Sequence, residues 1–494
     1  MSQSPDMTAI EQLEPKPVWS FFAGMCKVPH ESKKEEKIRA HVRKLAEETG
    51  FKVREDTVGN VLIQVPAKPG CKNAPVTVLQ GHLDMVCEKN SDVPHDFDND
   101  PIKAVIDKDD KGEQIVRADG TTLGADNGIG VALAMAAATQ PDVKHGPLEI
   151  LCTIDEEMGM TGAKALAPDF FTGKRMLNLD SEEDGAIYIG CAGGCDTNLT
   201  WRFETNAPPA GAEVCRVAVS GLKGGHSGGD IHLNRANAIK LLVQTLHGAA
   251  DIRLAEISGG SKRNAIPREA SAVVVGPAGT TATLSRASET VRAEAVTDAK
   301  EAGCKIAVER SEAATAISHH DTVQLLTTIS ALPHGVLAVV PEIPGLVQTS
   351  NGTSIIKCRP DDGALEVEIA CLSRSSSDVQ LNTVRRQLAD TGCLGGAAVE
   401  QGNDYPGWAP NVDSPILSTC RRVYEEVFGE APNVAAIHAG LECGIIGQRM
   451  GGMDMVSFGP RIEGAHSPDE RVYVASVQKS WKYLKAVLAE LAKG

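Results

Sequence analysis

The N-terminal part of the chain alternates amphipathic stretches with short apolar runs. Ile38 and Val42 fall on one stripe at helical spacing, which predicts a helix from Glu31 to Gly50. The short runs that follow are rich in β-branched residues and predict strands, and a second apolar helix is predicted from Asn127 to Thr139. The predicted strands are Phe51 to Glu55, Asn60 to Val65, Val76 to Gln80, Leu148 to Thr153 and Met176 to Leu179.

Polar side chains follow three of these predicted strands. His82 and Asp84 come after Val76 to Gln80, Glu156 and Glu157 come after Leu148 to Thr153, and Asp180 follows the third. Alternating strands and helices predict a mostly parallel sheet covered by helices, whose ligand sites lie outside the carboxyl ends of the strands. We therefore expect these five side chains to lie near one another.

The pattern changes after Cys195 and changes back near Pro415, so the fold class predicted is α/β with an inserted α+β domain. The expected boundaries are 1–197 and 406–494 for the two parts of the α/β domain and 198–405 for the insertion. The strands predicted in the insertion are Glu213 to Ser220, Ala270 to Val275 and Ala364 to Cys371. The helices predicted there are Asn234 to His247, Ser285 to Ala302 and Val379 to Ala389.

Charge and composition narrow the classes of partner. The 494 residues include 49 Lys and Arg against 65 Asp and Glu, a net charge of −16 without a dense basic run, which argues against nucleic acid or an anionic membrane. Residues Met1 to Pro17 lack the apolar core of a signal peptide, and the apolar stretch Gly128 to Ala138 is too short to span a bilayer. A cytoplasmic protein is expected. The 13 cysteines, of which Cys191 and Cys195 come closest to a metal-binding pair, are interpreted as reduced thiols.

Two short motifs carry candidate metal ligands, and each also has an interpretation without a metal. In His82-Leu-Asp84 the acid can fix the tautomer of a histidine ligand, although such a tripeptide often occurs by chance. Asp126 lies in the Gly-rich segment Thr121 to Gly130 before an apolar helix, where an acid is also a favoured helix cap. A phosphate loop is a poor alternative, because no Lys follows the glycines and the carboxylate would repel phosphate.

The remaining candidates are acids and one histidine. Glu156 and Glu157 are adjacent, and two buried neighbouring acids cannot both stay charged without a nearby cation; an exposed acidic loop is the alternative. Asp180 and His466 alone would be caps or loop residues. The five ligand-type residues form an imidazole and carboxylate set suited to zinc, manganese or cobalt: His82, Asp126, Glu157, Asp180 and His466.

The order of these motifs resembles a known family, the di-zinc aminoacylase, carboxypeptidase G and carnosinase clan. Within this clan the segments Gln80 to Lys89, Thr122 to Gly130 and Gly221 to Asp230 are similar to those of the aminoacyl-histidine dipeptidases, and the similarity covers nearly the whole chain. The resemblance implies a zinc-exopeptidase-like catalytic domain with an inserted lid and dimerisation domain.

The resemblance also implies a division of the metal ligands. His82 and Asp180 would bind one zinc, Glu157 and His466 the other, and Asp126 would bridge the two ions. Cobalt or manganese could take the place of zinc.

Two further roles in the catalytic domain follow from the resemblance. Asp84 would orient His82, and Glu156 would act as the general base that takes a proton from the attacking water. The peptide bond between Asp126 and Asn127 is expected to be cis.

Four residues are implied as substrate contacts. His226 would polarise the substrate carbonyl, Asn264 and Arg374 would bind the terminal carboxylate, and Glu442 would hold the free amine. The alternatives are a loop histidine in a glycine turn, a solvated surface arginine and a carboxylate at a helix start or hinge.

The expected activity is hydrolysis of short peptides, preferentially Xaa-His dipeptides such as carnosine, in a homodimer formed through the lid. A related di-zinc aminotripeptidase or an N-acyl amino acid amidohydrolase is the alternative. A non-enzymatic metal-binding protein is disfavoured, because Glu156 and every candidate ligand are present.

Overall fold

The computed structural model describes residues 7–341, 343 and 345–493. The chain forms two compact units. The first comprises the chain up to Gly190, Pro410–Ala436 and the chain from Leu441, and the second comprises Cys191–Ala409 and Ile437–Gly440. The first unit is therefore built from separated parts of the sequence, and a four-residue segment near residue 440 belongs to the second.

An eight-stranded sheet forms the centre of the first unit. Its inner strands Leu148–Thr153, Thr77–His82, Arg175–Asn178 and Asp454–Ser457 run parallel to one another. Antiparallel pairing begins on either side of this parallel group. In spatial order the strands are Lys52–Glu55, Val61–Val65, Leu148–Thr153, Thr77–His82, Arg175–Asn178, Asp454–Ser457, Ala186–Cys191 and Asn433–Ile437.

The remaining elements of the first unit are a small sheet and the helices. The small antiparallel sheet consists of Ile462–Glu463, Arg471–Tyr473, Gln114–Ala118 and Ala104–Lys108. The helices are Thr8–Glu11, Lys16–Cys26, Glu36–Glu48, Ala125–Thr139, Thr161–Ala165, Pro415–Phe428, Glu442–Arg449 and Val474–Leu491.

The Ala125–Thr139 helix is apolar on every side, as expected of a helix buried in a core. Gly128 faces the Phe22 ring of the Lys16–Cys26 helix, and a Cβ on Gly128 would lie 3.1 Å from that ring. This glycine therefore lets the two helices approach closely. Among the residues described, no helix is both long and apolar enough to cross a membrane.

The first predicted helix is shorter than the periodicity indicated. It begins at Glu36 rather than Glu31, because Lys33 has a φ of 68° that interrupts right-handed helical geometry. The predicted strands of the first unit agree with the structure to within one or two residues, and Leu148–Thr153 agrees at both ends.

The second unit is built on a ten-stranded sheet whose described pairings are all antiparallel. Its main path runs Lys305–Arg310, Glu213–Ser220, Ala270–Gly276, Arg253–Gly259, Val347–Asp361, Ala364–Ser375, Gly193–Asn206 and Ala316–Ile317, with Gly335–Val339 and Ala398–Tyr405 paired beside it. The other elements are the short pair Gly225–His226 and Ala265–Ile266, the 3₁₀ turn Ile231–Leu233, and the helices Ala238–Leu246, Thr280–Asp298, His319–Ala331 and Asp378–Leu394.

Alternate strand residues and the apolar faces of these helices share one core in the second unit. One strand differs from the prediction in a way that matters for function. The strand expected to end at Cys371 continues to Ser375. Arg374 therefore lies within the sheet, opposite Ser350 and Gly194 on the neighbouring strands.

A cavity in this core should cost stability. Ile369 is completely buried between the two neighbouring strands, so Ile369→Ala should lower the free energy of unfolding by about 2–5 kcal/mol. Val379 is 74% exposed, and Val379→Ala should change the free energy of unfolding by less than about 0.5 kcal/mol. Urea denaturation followed by far-UV circular dichroism measures both; equal losses would contradict this account of the core.

Candidate metal centre

Three parallel strands bring the first candidate ligands to one edge of the sheet in the first unit. His82 ends its strand and is paired with Thr153 of the next strand. Asp180 lies two residues beyond Asn178, which is paired with Gln80 on the other side. Because parallel strands end at the same edge, His82 lies between the acids that follow its two neighbours.

Two residues arrive at this edge from elsewhere in the unit. Asp126 lies in the first turn of Ala125–Thr139 with non-helical backbone angles, and its peptide bond to Asn127 is cis. His466 lies in the loop between Ile462–Glu463 and Arg471–Tyr473, with a φ of 63°.

The five candidate ligands converge in two groups joined by Asp126. His82 Nε2 lies 3.1 Å from Asp126 Oδ1 and 3.3 Å from Asp180 Oδ1. His466 Nε2 lies 3.3 Å from Asp126 Oδ2 and 3.0 Å from Glu157 Oε2. Asp126 thus presents a different carboxylate oxygen to each imidazole.

These donor atoms fit divalent cations. Glu157 Oε1 and Asp180 Oδ1 are buried without a hydrogen-bond partner, and in the described part of the chain no Lys or Arg forms an ion pair with these acids. Ligand atoms of His82, Asp126 and Glu157 also lie within 4.8 Å of one another, close enough to share one ion. Buried acids without a Lys or Arg partner are costly to keep charged, and imidazole and carboxylate groups are ligands of zinc, so this set suits metal binding.

The pKa shifts show how strongly these groups interact. Burial lowers the pKa of His82, but the nearby charge of Asp180 and the hydrogen bond with Asp126 outweigh it and raise the pKa well above its usual value. Hydrogen bonds with Asp126 and Glu157 raise the pKa of His466 to about 11. Burial raises the pKa of Asp180 to about 6 despite the proximity of His82. The neighbouring carboxylates therefore stabilise the positively charged form of each imidazole.

Glu156 lies beside this group and is partly buried. Burial raises its pKa well above the usual value, and the negative charges of Asp180 and Glu157 raise it further against the opposing effect of His82. A carboxyl group with a raised pKa next to candidate metal ligands has the character of a group that accepts and returns a proton.

Asp84 contacts more of the site than the sequence suggested. Its backbone carbonyl lies 2.9 Å from His82 Nδ1, closer than its carboxylate oxygen at 3.5 Å. The carboxylate accepts hydrogen bonds from the backbone N–H groups of Glu156 and Glu157 and from the Ser32 hydroxyl. Burial would raise the pKa of Asp84, but its bonds to His82 and Glu156 lower it to about 2. Asp84 thus fixes the His82 tautomer and the position of both glutamates.

Sequence reasoning missed two acids at this site. The carboxylate of Glu470 is 2% exposed and accepts hydrogen bonds from the backbone N–H groups of four consecutive residues, 123–126, at 2.6, 3.1, 2.7 and 3.3 Å. Burial and the neighbouring Asp126 raise the pKa of Glu182 to about 9. The only sequence signal for Glu470 was its place four residues after His466, and Glu182 follows Asp180 by two.

Glu442 lies in the interior of the first unit. Its side chain is completely buried, and its Oε2 accepts hydrogen bonds from Gln80 Nε2 at 2.6 Å and from the Thr153 hydroxyl at 2.5 Å. Burial raises its pKa to about 8. The carboxyl group braces two strands beneath His82, and this placement does not favour the predicted contact with a substrate amine.

The other predicted substrate contacts belong to the second unit. The His226 ring accepts hydrogen bonds at Nδ1 from the backbone N–H groups of Gly228 at 3.2 Å and Gly229 at 3.0 Å. Burial, followed by the charge of Arg374, lowers the pKa of His226, so the ring is neutral and carries its proton on Nε2. His226 therefore offers a hydrogen-bond donor whose tautomer is set by its own glycine loop.

Asn264 and Arg374 differ in exposure. Asn264 is exposed, and its backbone carbonyl accepts a hydrogen bond from the Ser227 backbone N–H at 2.8 Å. Arg374 is only 6% exposed, so the alternative of a solvated surface arginine is wrong. Its Nη1 donates to the Tyr405 hydroxyl at 3.0 Å, and its Nε has no partner.

The comparison with family models decides the family. Residues 78–490 match the model described as Peptidase family M20/M25/M40, which spans most of the chain. The chain belongs to peptidase family M20/M25/M40. It is a metallopeptidase with the mixed α/β fold of that family.

Similar proteins agree with this assignment. The chain is 42% identical over 493 residues to the "Cytosol non-specific dipeptidase" of Escherichia coli, covering 98% of this chain and 99% of that protein. The crystal structure of the aminoacylhistidine dipeptidase from Vibrio alginolyticus is also 42% identical, with a TM-score of 0.88 over 97% of this chain and 98% of the other. A Staphylococcus aureus tripeptidase has a TM-score of 0.62 at 15% identity over 98% of this chain and 100% of its own, which shows the shared fold alone.

The contacts of Glu470 predict that it holds the loop that carries Asp126. In Glu470→Gln the amide NH₂ would face backbone N–H donors, and leaving such donors unpaired costs about 1–3 kcal/mol. Amide hydrogen exchange in residues 123–126, measured by mass spectrometry, should therefore accelerate. Asp469→Asn, a change at an exposed neighbour, should leave the exchange unchanged. Unaltered protection in Glu470→Gln would show that the loop does not depend on this acid.

Proposed function

We propose that this peptidase hydrolyses dipeptides with two divalent cations and Glu156 as the general base. The observation that carries the proposal is the convergence of His82, His466 and three carboxylates, with Asp126 facing both imidazoles. The raised pKa of Glu156 beside them supports the assignment of the base.

The proposed ligands form two sets that share Asp126. His82 and Asp180 would hold one ion, and Glu157 and His466 would hold the other. Bound divalent cations would lower the pKa of water and stabilise negative charge that develops on a carbonyl oxygen. Zinc is proposed first, because imidazole and carboxylate donors suit it, and cobalt or manganese suits the same donors.

Glu156 moves the proton in this proposal. Its carboxylate takes a proton from the water that attacks the scissile carbonyl carbon and later delivers it to the leaving amine nitrogen. Asp84 positions Glu156 through the hydrogen bond from its backbone N–H at 3.0 Å. This bond holds the backbone of Glu156 beside the candidate metal ligands.

Residues of the second unit would bind the rest of the substrate. His226 would donate its Nε2 proton to the carbonyl oxygen, a role supported by the two backbone bonds that keep Nδ1 an acceptor. Arg374 would bind the C-terminal carboxylate, supported by its burial and its unpaired Nε. Asn264 would assist it from its exposed position.

Dipeptides are proposed as the substrate class because the two relatives at 42% identity are both named dipeptidases. One name specifies aminoacyl-histidine and the other is non-specific, so we propose Xaa-His dipeptides such as carnosine as preferred members of a wider class. A tripeptidase or an N-acyl amino acid amidohydrolase has weaker support, since the tripeptidase comparison shows fold alone.

Location and assembly complete the proposal. We propose that the enzyme acts in the cytoplasm, since the Escherichia coli relative carries the name of a cytosol enzyme. We also propose a homodimer formed through the second unit, which rests on the family resemblance. The net charge of −16 supports the proposal that the enzyme has no nucleic-acid or membrane partner.

Replacement of the base should separate chemistry from metal binding. Glu156→Gln removes the proton acceptor but none of the proposed ligands, so kcat should fall by about 10²–10⁴ while two metals per chain remain by elemental analysis. Glu48→Gln on the surface of the Glu36–Glu48 helix is the control and should keep full activity. Undiminished kcat in Glu156→Gln would remove Glu156 as the base.

Metal removal and a substrate panel test the function as a whole. Chelation should abolish hydrolysis of Xaa-His and other free dipeptides, and zinc should restore it. The midpoint of thermal unfolding should rise on addition of zinc, since an ion bound only to the folded state stabilises it. Full activity in metal-free protein would refute the metal assignment, and cleavage of N-acyl amino acids without cleavage of dipeptides would favour the amidohydrolase.

A further inference from the structure

A buried cation in the second unit lacks a carboxylate partner. Arg374 is 6% exposed, and in the described residues its side chain forms no ion pair. Two acids of the same sheet pair with other arginines. Asp196, on the adjacent strand Gly193–Asn206, lies 3.4 Å from Arg263, and Asp404, on the strand beyond it, lies 2.7 Å from Arg385. A buried guanidinium without a counter-ion is costly, so the structure favours an anionic ligand at Arg374.

The surrounding histidines do not supply the missing charge. Burial, followed by the charge of Arg374, lowers the pKa of His226 and lowers that of His438 to about 3, which leaves both rings neutral. His438 Nε2 is 2.7 Å from the Ser350 hydroxyl, and Ser350 is paired with Arg374 on the adjacent strand. The environment of the guanidinium is thus polar but carries no negative charge from these groups.

Gly194 allows a tyrosine to reach this cation across the sheet. The backbone of Gly194 is paired with Arg374 on one side and with Tyr405 on the other. A Cβ on Gly194 would lie 2.5 Å from the Tyr405 ring, so only glycine leaves room for the ring between the strands. The ring crosses this space, and its hydroxyl lies 3.0 Å from Arg374 Nη1.

The direction of this hydrogen bond leaves the tyrosine proton available. A guanidinium can only donate, so the Tyr405 oxygen accepts from Arg374. The phenolic hydrogen is then free to donate to a second acceptor. Arg374 and Tyr405 together offer N–H and O–H donors side by side, which matches the two oxygens of a carboxylate.

We propose that Tyr405 is a substrate-binding residue whose hydroxyl donates a hydrogen bond to the C-terminal carboxylate held by Arg374. This inference rests on the proposed function, because it takes the anion to be the free carboxylate of a dipeptide. It assigns to Tyr405 a share of the discrimination against peptides with a blocked C-terminus. An amide has no negative charge to accept the paired donors of Arg374 and Tyr405.

The experiment compares Tyr405→Phe with wild type on L-alanyl-L-histidine and its C-terminal amide. Phenylalanine keeps the ring over Gly194, so only the hydroxyl is lost. KM for the free dipeptide should rise about tenfold or more, as expected for a lost hydrogen bond to a charged group, while KM for the amide and kcat for both change by less than about twofold. Tyr188→Phe is the matched control, because that hydroxyl donates to Glu183 in the first unit.

Arg374→Gln, measured in parallel, separates this inference from the proposed function. If KM rises for the free dipeptide but not for the amide in both variants, the Tyr405 contact is supported. Selective loss in Arg374→Gln alone would overturn the Tyr405 contact and leave the carboxylate anchor in place. Equal effects on both substrates in both variants, or a wild-type enzyme that cleaves no dipeptide, would overturn the anchor and the inference with it. Thermal unfolding of Tyr405→Phe within a few degrees of wild type shows that the variant is folded.

Discussion

Repulsion between carboxylates at the ends of parallel strands is the constraint on which the first unit depends. Asp126, Glu157 and Asp180 crowd around two imidazoles, and buried oxygens of Glu157 and Asp180 have no hydrogen-bond partner. Burial, together with the negative charges of Asp126 and Glu157, raises the pKa of Asp180 to about 6. Such a cluster of anions is stable only when cations lie among the carboxylates. Folding therefore brings together like charges at a cost in free energy, and metal binding would offset that cost.

Other acids of the same unit show the contrasting solution. Asp84 and Glu470 are equally buried, but their oxygens accept backbone N–H groups from the segments that carry the site. Backbone donors favour the charged form of a carboxylate, and the pKa of Asp84 is held at about 2, whereas burial raises the pKa of Glu470 to about 7 despite its backbone bonds. Both acids serve as braces for the segments that donate to them. Glu470 braces the segment of Asp126, and Asp84 braces Glu156 and Glu157. Two buried acids thus hold the backbone segments that carry Asp126, Glu156 and Glu157.

The second unit has the opposite electrostatic character. Its buried Arg374 has no anionic partner in the described residues, and the nearby His226 and His438 are kept neutral by burial and by that same positive charge. A neutral His226 with its proton fixed on Nε2 suits a carbonyl oxygen, whereas an unpaired guanidinium suits a carboxylate. The two units therefore carry complementary requirements, one for cations and one for an anion.

The sequence by itself determined five strands of the first unit, the chemical type of each site residue and the order of the motifs. The polar end of a strand, such as His82, was predictable because a buried strand is a local run of apolar residues and a polar residue interrupts that run. Only the tertiary structure revealed the contacts of Glu470 and Tyr405 and the burial of Arg374. Glu470 bonds to backbone about 345 residues away, and Tyr405 reaches Arg374 through the space that Gly194 leaves. Such contacts join residues distant in sequence, and no local pattern encodes which backbone groups or side chains a buried polar atom will meet.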